Sequence, residues 1–138
     1  MGLDPGEKRI GLALSDESQF LAQPLTTLTR RAGKRFPMHR LLAQVEQHAV
    51  TGVVVGLPLD LDGSEGTAAA AARALASDIA RHAGQPVELW DERFTTARAL
   101  QAVREMAGTT KGRKADVDAL AATVLLQTYL DARRGTAT

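Results

Sequence analysis

The sequence predicts an α/β domain on a mixed five-stranded sheet, with an antiparallel three-strand meander followed by parallel strands and helices on both faces. Two observations predict it. The first thirty residues hold three strand-like runs broken by turn signals, with no helical spacing between them. From residue 36 onward, helical periodicity alternates with short, wholly apolar runs. That rhythm is how crossover connections and strands covered on both faces appear in a sequence.

The elements follow in order. Residues 1–4 and the run RIGLALS at Arg9–Ser15 form two strands, and Pro5-Gly6 between them makes a hairpin the natural connection. Residues 23–29 (QPLTTLT) are rich in Thr and Leu and suit a third strand with Pro24 near its start. Met38, Leu41, Leu42 and Val45 lie at helical spacing within residues 36–50. GVVVG at residues 52–56 is a buried strand, residues 57–66 (LPLDLDGSEG) are a loop, and Thr67–Ala83 is an Ala-rich helix stopped near Gly84. VELWD is a further buried strand. Thr95 or Thr96 can cap a helix running to about residue 106, and residues 108–114 (GTTKGRK) make a basic loop. Residues 116–132 form the last helix, with Asp116 as its N-cap, and residues 133–138 a frayed tail.

A chain of 138 residues is one domain, spanning 1–138, and can bury a single core. With no Cys, disulfides and thiol chemistry are excluded, and a cytoplasmic location is expected. No apolar run approaches the roughly 20 residues of a membrane span, so no membrane partner is expected. A formal charge of +1 means that attraction to a polyanion must come from local clusters.

Three acidic stretches stand far apart, each joined to an apolar element: Asp4, the pair Asp91-Glu92, and Asp118. Ionised carboxylates beside apolar elements are costly unless a cation shares the site, and a divalent metal serves several at once. Each also has a structural alternative. Asp4 before Pro-Gly can cap a tight turn, and Asp118 can complement the final helix's dipole from its first turn. Asp91 and Glu92 are adjacent, so on a strand they face opposite ways. One faces the site, the other pairs with Arg93 or a backbone amide, and the longer Glu92 is preferred as ligand with Asp91 as alternate. Asp118 shares a helical face with Ala121, Ala122 and Leu125, which lets that face approach the sheet closely. Ser15 and Asp16 either line the site or form a turn. His39, His48 and His82 lack metal-ligand spacing, and no phosphate-binding P-loop or dinucleotide motif occurs.

Gly6 permits close approach of a phosphate, with Lys8 and Arg9 following as anion partners. Lys111, Arg113 and Lys114 lie just ahead of Asp118, and Arg30, Arg31, Lys34, Arg35 and Arg40 form a second group. Such groups add salt-sensitive, sequence-blind affinity for nucleic acid, or are simply solvated.

LDPGEKRIGLALSD, VVVGLPLDLDGSEG, VELWDERFTT and DALAATVLLQTYLD occur in one order over nearly the whole chain. Together they closely resemble the YqgF family, the RuvX-type group of Holliday-junction-resolvase-like or pre-16S rRNA nucleases. The resemblance implies a ribonuclease-H-like fold and a cytoplasmic nuclease of structured nucleic acid that needs Mg2+ or Mn2+. It carries the acidic roles onto Asp4, the Asp91-Glu92 pair and Asp118. The expected chemistry is two-metal phosphodiester hydrolysis with catalytic and metal-holding Asp4, Glu92 and Asp118, the metals about 4 Å apart. Gly6, Lys8, Arg9, Arg93, Lys111, Arg113 and Lys114 would bind substrate. Processing of the pre-16S rRNA 5′ end in ribosome biogenesis is the leading expectation. Holliday junction resolution in recombination and repair, which calls for a homodimer, and non-catalytic nucleic-acid binding are the alternatives.

Overall fold

The computed structural model describes residues 1–6, 8–30, 35–95 and 114–136. Its strands are β1 (Gly2–Asp4), β2 (Arg9–Ser15), β3 (Ala22–Thr29), β4 (Val53–Leu57) and β5 (Val87–Asp91). The α-helices among the described residues are α1 (Met38–Gln47), α2 (Thr67–Ala83) and α3 (Lys114–Thr136), and a 3-10 turn, Glu92–Phe94, follows β5. The sheet order is β3-β2-β1-β4-β5. β1 is antiparallel to β2 and parallel to β4, β2 and β3 are antiparallel, and β4 and β5 are parallel. The meander and the parallel half therefore meet at β1, the central strand.

Side-chain alternation divides the core between the two faces. Leu3, Ile10, Leu12, Val53 and Val55 pack with Leu41 and Val45 of α1 and with Ala69, Ala72, Leu75 and Ile79 of α2. On the other face, Ala13 and Val54 pack with Ala122, Leu125, Leu126, Tyr129 and Leu130 of α3. Small residues bring α3 close: a Cβ on Gly2 would stand 2.8 Å from the Leu126 Cβ. Gly84, in the left-handed conformation at φ 68°, ends α2 as expected.

The differences from expectation concern helix ends and VELWD, which forms the edge strand β5 and has no fully buried residue because no strand covers its outer side. α1 is shorter than residues 36–50, because Pro37 occupies its N-cap and His48 its C-cap. α3 already includes Lys114, so Asp116 lies inside the helix rather than at its cap, and Asp118 sits beyond the first turn. It also runs on to Thr136 instead of fraying after Ala132. Arg134 Nη1 donates to the Gln19 and Phe20 carbonyls, each at 3.2 Å, while its guanidinium lies 4.3 Å from the Phe20 ring centroid. The expected helix to residue 106 and the loop at 108–113 lie outside the described residues. No helix among the described residues is long and apolar enough to cross a membrane.

Candidate active site

β1 has only three residues, and the role of Asp4 follows from their alternation. Leu3 points into the α1–α2 core, so Gly2 and Asp4 face α3. The antiparallel partner of Asp4 is Gly11. On the other side Gly2 pairs with Val54 and Leu3 with Val55, so the same register brings Gly56 level with Asp4. A glycine thus flanks Asp4 on each neighbouring strand.

Both glycines are required by what lies over them. A Cβ on Gly11 would fall 1.9 Å from the Asp118 carbonyl oxygen and 3.0 Å from the Ala119 nitrogen, where the α3 backbone rests on the sheet. A Cβ on Gly56 would fall 2.8 Å from Glu92 Oε1 and 2.5 Å from Leu125 Cδ1. Asp118 and Glu92 therefore arrive from opposite sides, over the two strands that border Asp4. All three carboxylates belong to one face at one end of the sheet.

Asp91 and Glu92 take different tasks because the chain leaves β5 in a 3-10 turn. Asp91 Oδ1 accepts the Arg93 backbone N–H at 2.9 Å, capping that turn. Its Oδ2 accepts from Arg93 Nη2 at 2.7 Å and Nε at 3.0 Å, a forked pair. The Arg93 side-chain hydrogen bond is the main cause that holds the Asp91 carboxyl below its ordinary range. Arg93 reaches on, its Nη1 donating to the Leu61 carbonyl at 3.4 Å. Its guanidinium lies over Gly63, whose φ of +88° suits glycine. Arg93 is thus engaged as a brace between the end of β5 and the loop at 58–66, whatever it also offers a phosphate.

This brace has a pH signature. A depressed folded pKa means that the Asp91–Arg93 pair contributes its full stability above the unfolded carboxyl pKa of about 3.9. The contribution fades as pH falls through the lower folded value. Wild type should exceed Asp91→Asn in urea midpoint at pH 7, and the gap should close progressively below about pH 4. A gap that widens in acid would contradict the pairing.

Arg9 Nε donates to Asp118 Oδ2 at 2.7 Å, with side chains 36% and 29% exposed. A pair this open contributes about 0–1 kcal/mol, too little to bar the carboxylate from a divalent cation. Lys8 is exposed, and its carbonyl accepts the Arg30 backbone N–H at 2.8 Å. Gly6 closes the β1–β2 turn, where a Cβ would meet the Arg9 carbonyl oxygen at 2.5 Å. Lys111 and Arg113 lie outside the described residues, and Lys114 is described only as the start of α3.

Among the described residues no three acidic or His side chains stand together as a ready-made metal-binding group. The donors nonetheless suit Mg2+ or Mn2+ in kind, being carboxylate oxygens. His39, His48 and His82 are exposed and take no part. Ser15 and Asp16 lie at the other end of the sheet. There Asp16 Oδ1 accepts the Phe20 and Leu21 amides at 2.7 and 3.2 Å, making the turn reading the right one. A cavity of about 440 Å³ also opens at that far end, lined in part by Glu88, Tyr129 and Arg133.

Sequence reasoning missed Gly11, although a glycine inside a strand run can signal close backbone approach. It also missed the Arg9–Asp118 pair, whose members are 109 positions apart.

A mixed sheet in the order β3-β2-β1-β4-β5, with Asp4 at the end of its central strand, defines a class: the ribonuclease-H-like fold. Thermus thermophilus RuvC has it, both in complex with a Holliday junction substrate and in a second structure. The complex aligns with a TM-score of 0.62 and 19% identity, covering 98% of this chain and 94% of that one. The second structure gives 0.57 over 98% and 95% at the same identity. The family model described as "RuvX: Holliday junction resolvase" matches residues 1–132, and the chain belongs to that family. Curated relatives bear the name "Putative pre-16S rRNA nuclease". The one from Anaeromyxobacter sp. (strain Fw109-5) is 44% identical over 133 residues, 96% of each chain. That from Nocardioides sp. (strain ATCC BAA-499 / JS614) is 46% identical over 139 residues, 99% of this chain and 89% of its own.

Proposed function

We propose that this chain is a metal-dependent endonuclease that hydrolyses phosphodiester bonds in structured nucleic acid. Its substrate is the 5′ region of pre-16S rRNA during ribosome assembly in the cytoplasm. The observation that carries this reading is the placement of Asp4 between Gly11 and Gly56, with the Asp118 backbone over one and the Glu92 carboxylate over the other. The names of relatives 44% and 46% identical over almost the whole chain support the choice of RNA.

Asp4, Glu92 and Asp118 would hold the ions of a two-metal site, Mg2+ or Mn2+. Such ions, when bound, supply an activated water and charge neutralisation at the phosphoryl oxygens. The chain's own residues do the rest. β1, bonded on both edges, fixes Asp4. The 3-10 turn, held by Asp91 and Arg93, aims Glu92 back over β4. Arg9 holds Asp118 in place and brings a guanidinium beside the site, where it meets the substrate's negative charge. Lys8, with Lys111, Arg113 and Lys114, contributes sequence-independent contacts to the phosphate backbone. Gly6 keeps the β1–β2 turn tight beside Asp4.

The test is a gel cleavage assay on a pre-16S rRNA fragment and on four-way-junction DNA, each with Mg2+, Mn2+ or EDTA. Cleavage of the RNA with either ion, abolished by EDTA and by Asp118→Asn, is the expected result. Full metal-dependent cleavage by Asp118→Asn would refute the assignment of that residue. A preference for the junction would instead favour resolution of recombination intermediates by a homodimer. Binding without cutting under every ion would mean a non-catalytic module.

A further inference from the structure

We propose that Phe94 is a stacking platform for an unpaired base of the nucleic-acid substrate, next to the phosphodiester to be cut. The proposal rests on the nuclease reading and deepens it by naming what the substrate must offer there.

The chain holds three Phe residues, and two of them lie beside a guanidinium. Phe20 lies under the Arg134 guanidinium, and Phe36 faces that of Arg30 at 6.0 Å. Phe94 is 65% exposed, one of four large apolar side chains left open among the described residues together with Phe20, Leu21 and Leu61. Nor is its ring adrift. It stands 5.6 Å from the Trp90 ring at an interplanar angle of 53°, and Trp90 is backed edge-on by Tyr129 at 5.5 Å. An aromatic ring fixed on one side and open on the other is pre-organised for a flat partner.

Position identifies the partner. Phe94 and Glu92 share one 3-10 turn. At about 2 Å of rise per residue, they are separated along its axis by little more than one base step of about 3.4 Å. Asp91 caps that turn and Arg93 ties it to the loop carrying Leu61. Leu61 is itself 96% exposed. A phosphodiester held at the carboxylates thus brings a neighbouring base to an open aromatic face. Inside a duplex both faces of a base are covered, so only an unpaired base can use the platform. The preferred substrate therefore has unpaired nucleotides at the cut.

Trp90 is the chain's single tryptophan and touches Phe94, so its fluorescence reports on the platform. The experiment titrates intact wild type, Phe94→Ala and Phe94→Tyr with a looped RNA and a fully paired RNA of equal length, in EDTA. Anisotropy measures binding in parallel, and cleavage is then measured with Mg2+. The looped RNA should change Trp90 emission in wild type. Phe94→Ala should bind it about tenfold more weakly, the loss expected for one stacked base. Affinity for the paired RNA should stay within about twofold. Phe94→Tyr, which keeps the ring, should restore binding. Equal losses on both RNAs, no loss in Phe94→Ala, no rescue by Tyr, or constant Trp90 emission at saturation would each overturn the platform. If wild type still cuts under those outcomes, the nuclease reading survives. If wild type neither binds nor cuts either RNA, both fall.

Discussion

Glu92→Gln is expected to lower single-turnover cleavage by about 10²–10³-fold, the scale seen when one charge-stabilising group leaves an active site. The amide keeps the shape of the side chain that lies over Gly56 but loses the charge. The half-buried Glu92 belongs to neither core cluster, so the thermal midpoint should move little. Asp91→Asn, one residue away, should behave in the opposite manner. Its carboxylate caps a turn and grips Arg93, so stability should fall while cleavage stays within about tenfold of wild type. Cleavage kinetics and thermal melts on both variants decide the matter. A reversal, with Asp91→Asn inactive and Glu92→Gln active, would make Asp91 the essential carboxylate and require Arg93 to release it.

Gly11→Ala should damage stability and activity together. The new methyl would stand 1.9 Å from the Asp118 carbonyl oxygen, which is backbone and cannot swing aside. Either β2 sinks or α3 lifts, and overpacking of this kind costs about 1–3 kcal/mol. For a domain of this size, a fall in the thermal midpoint of about 4 °C per kcal/mol is expected. Because the lifted residue carries the third carboxylate, cleavage should fall even at temperatures where the variant is fully folded. Normal cleavage by a destabilised Gly11→Ala would show that the height of Asp118 above the sheet does not matter.

What could be foreseen separates by distance along the chain. The meander, the buried strand β4 and α2 with its Gly84 stop depend on periodicity and turn chemistry within a few residues, and they stand where expected, while VELWD is a strand but a half-buried one at the edge. Arg93 as a partner for Asp91 is also local, two positions away. Glu92 keeps the α3 face that strand alternation gives it with Glu88 and Trp90, but the 3-10 turn that follows Asp91 is marked by nothing in DERF. Glu92 over Gly56 depends on the strand order. Asp118 over Gly11 depends on where α3 lands, and the extension of α3 past Ala132 on Arg134 reaching the β2–β3 loop. These are packing outcomes between distant segments, on which spacing is silent. The open ring of Phe94 was hidden for a related reason: whether an aromatic residue is buried depends on what covers it.

The central place of β1 also sets the order in which the acidic end can be assembled. The β2–β3 hairpin closes over a short loop and can form early, whereas β1 must await β4, and Arg9 must await a residue 109 positions downstream. During synthesis, a chain extended only through the 3-10 turn after β5 already contains Asp4 and Glu92. It still lacks both Asp118 and the helix that covers their side of the sheet. Vectorial growth therefore withholds the full acidic set until the last helix has emerged and docked, so a half-made molecule would leave the RNA around it uncut.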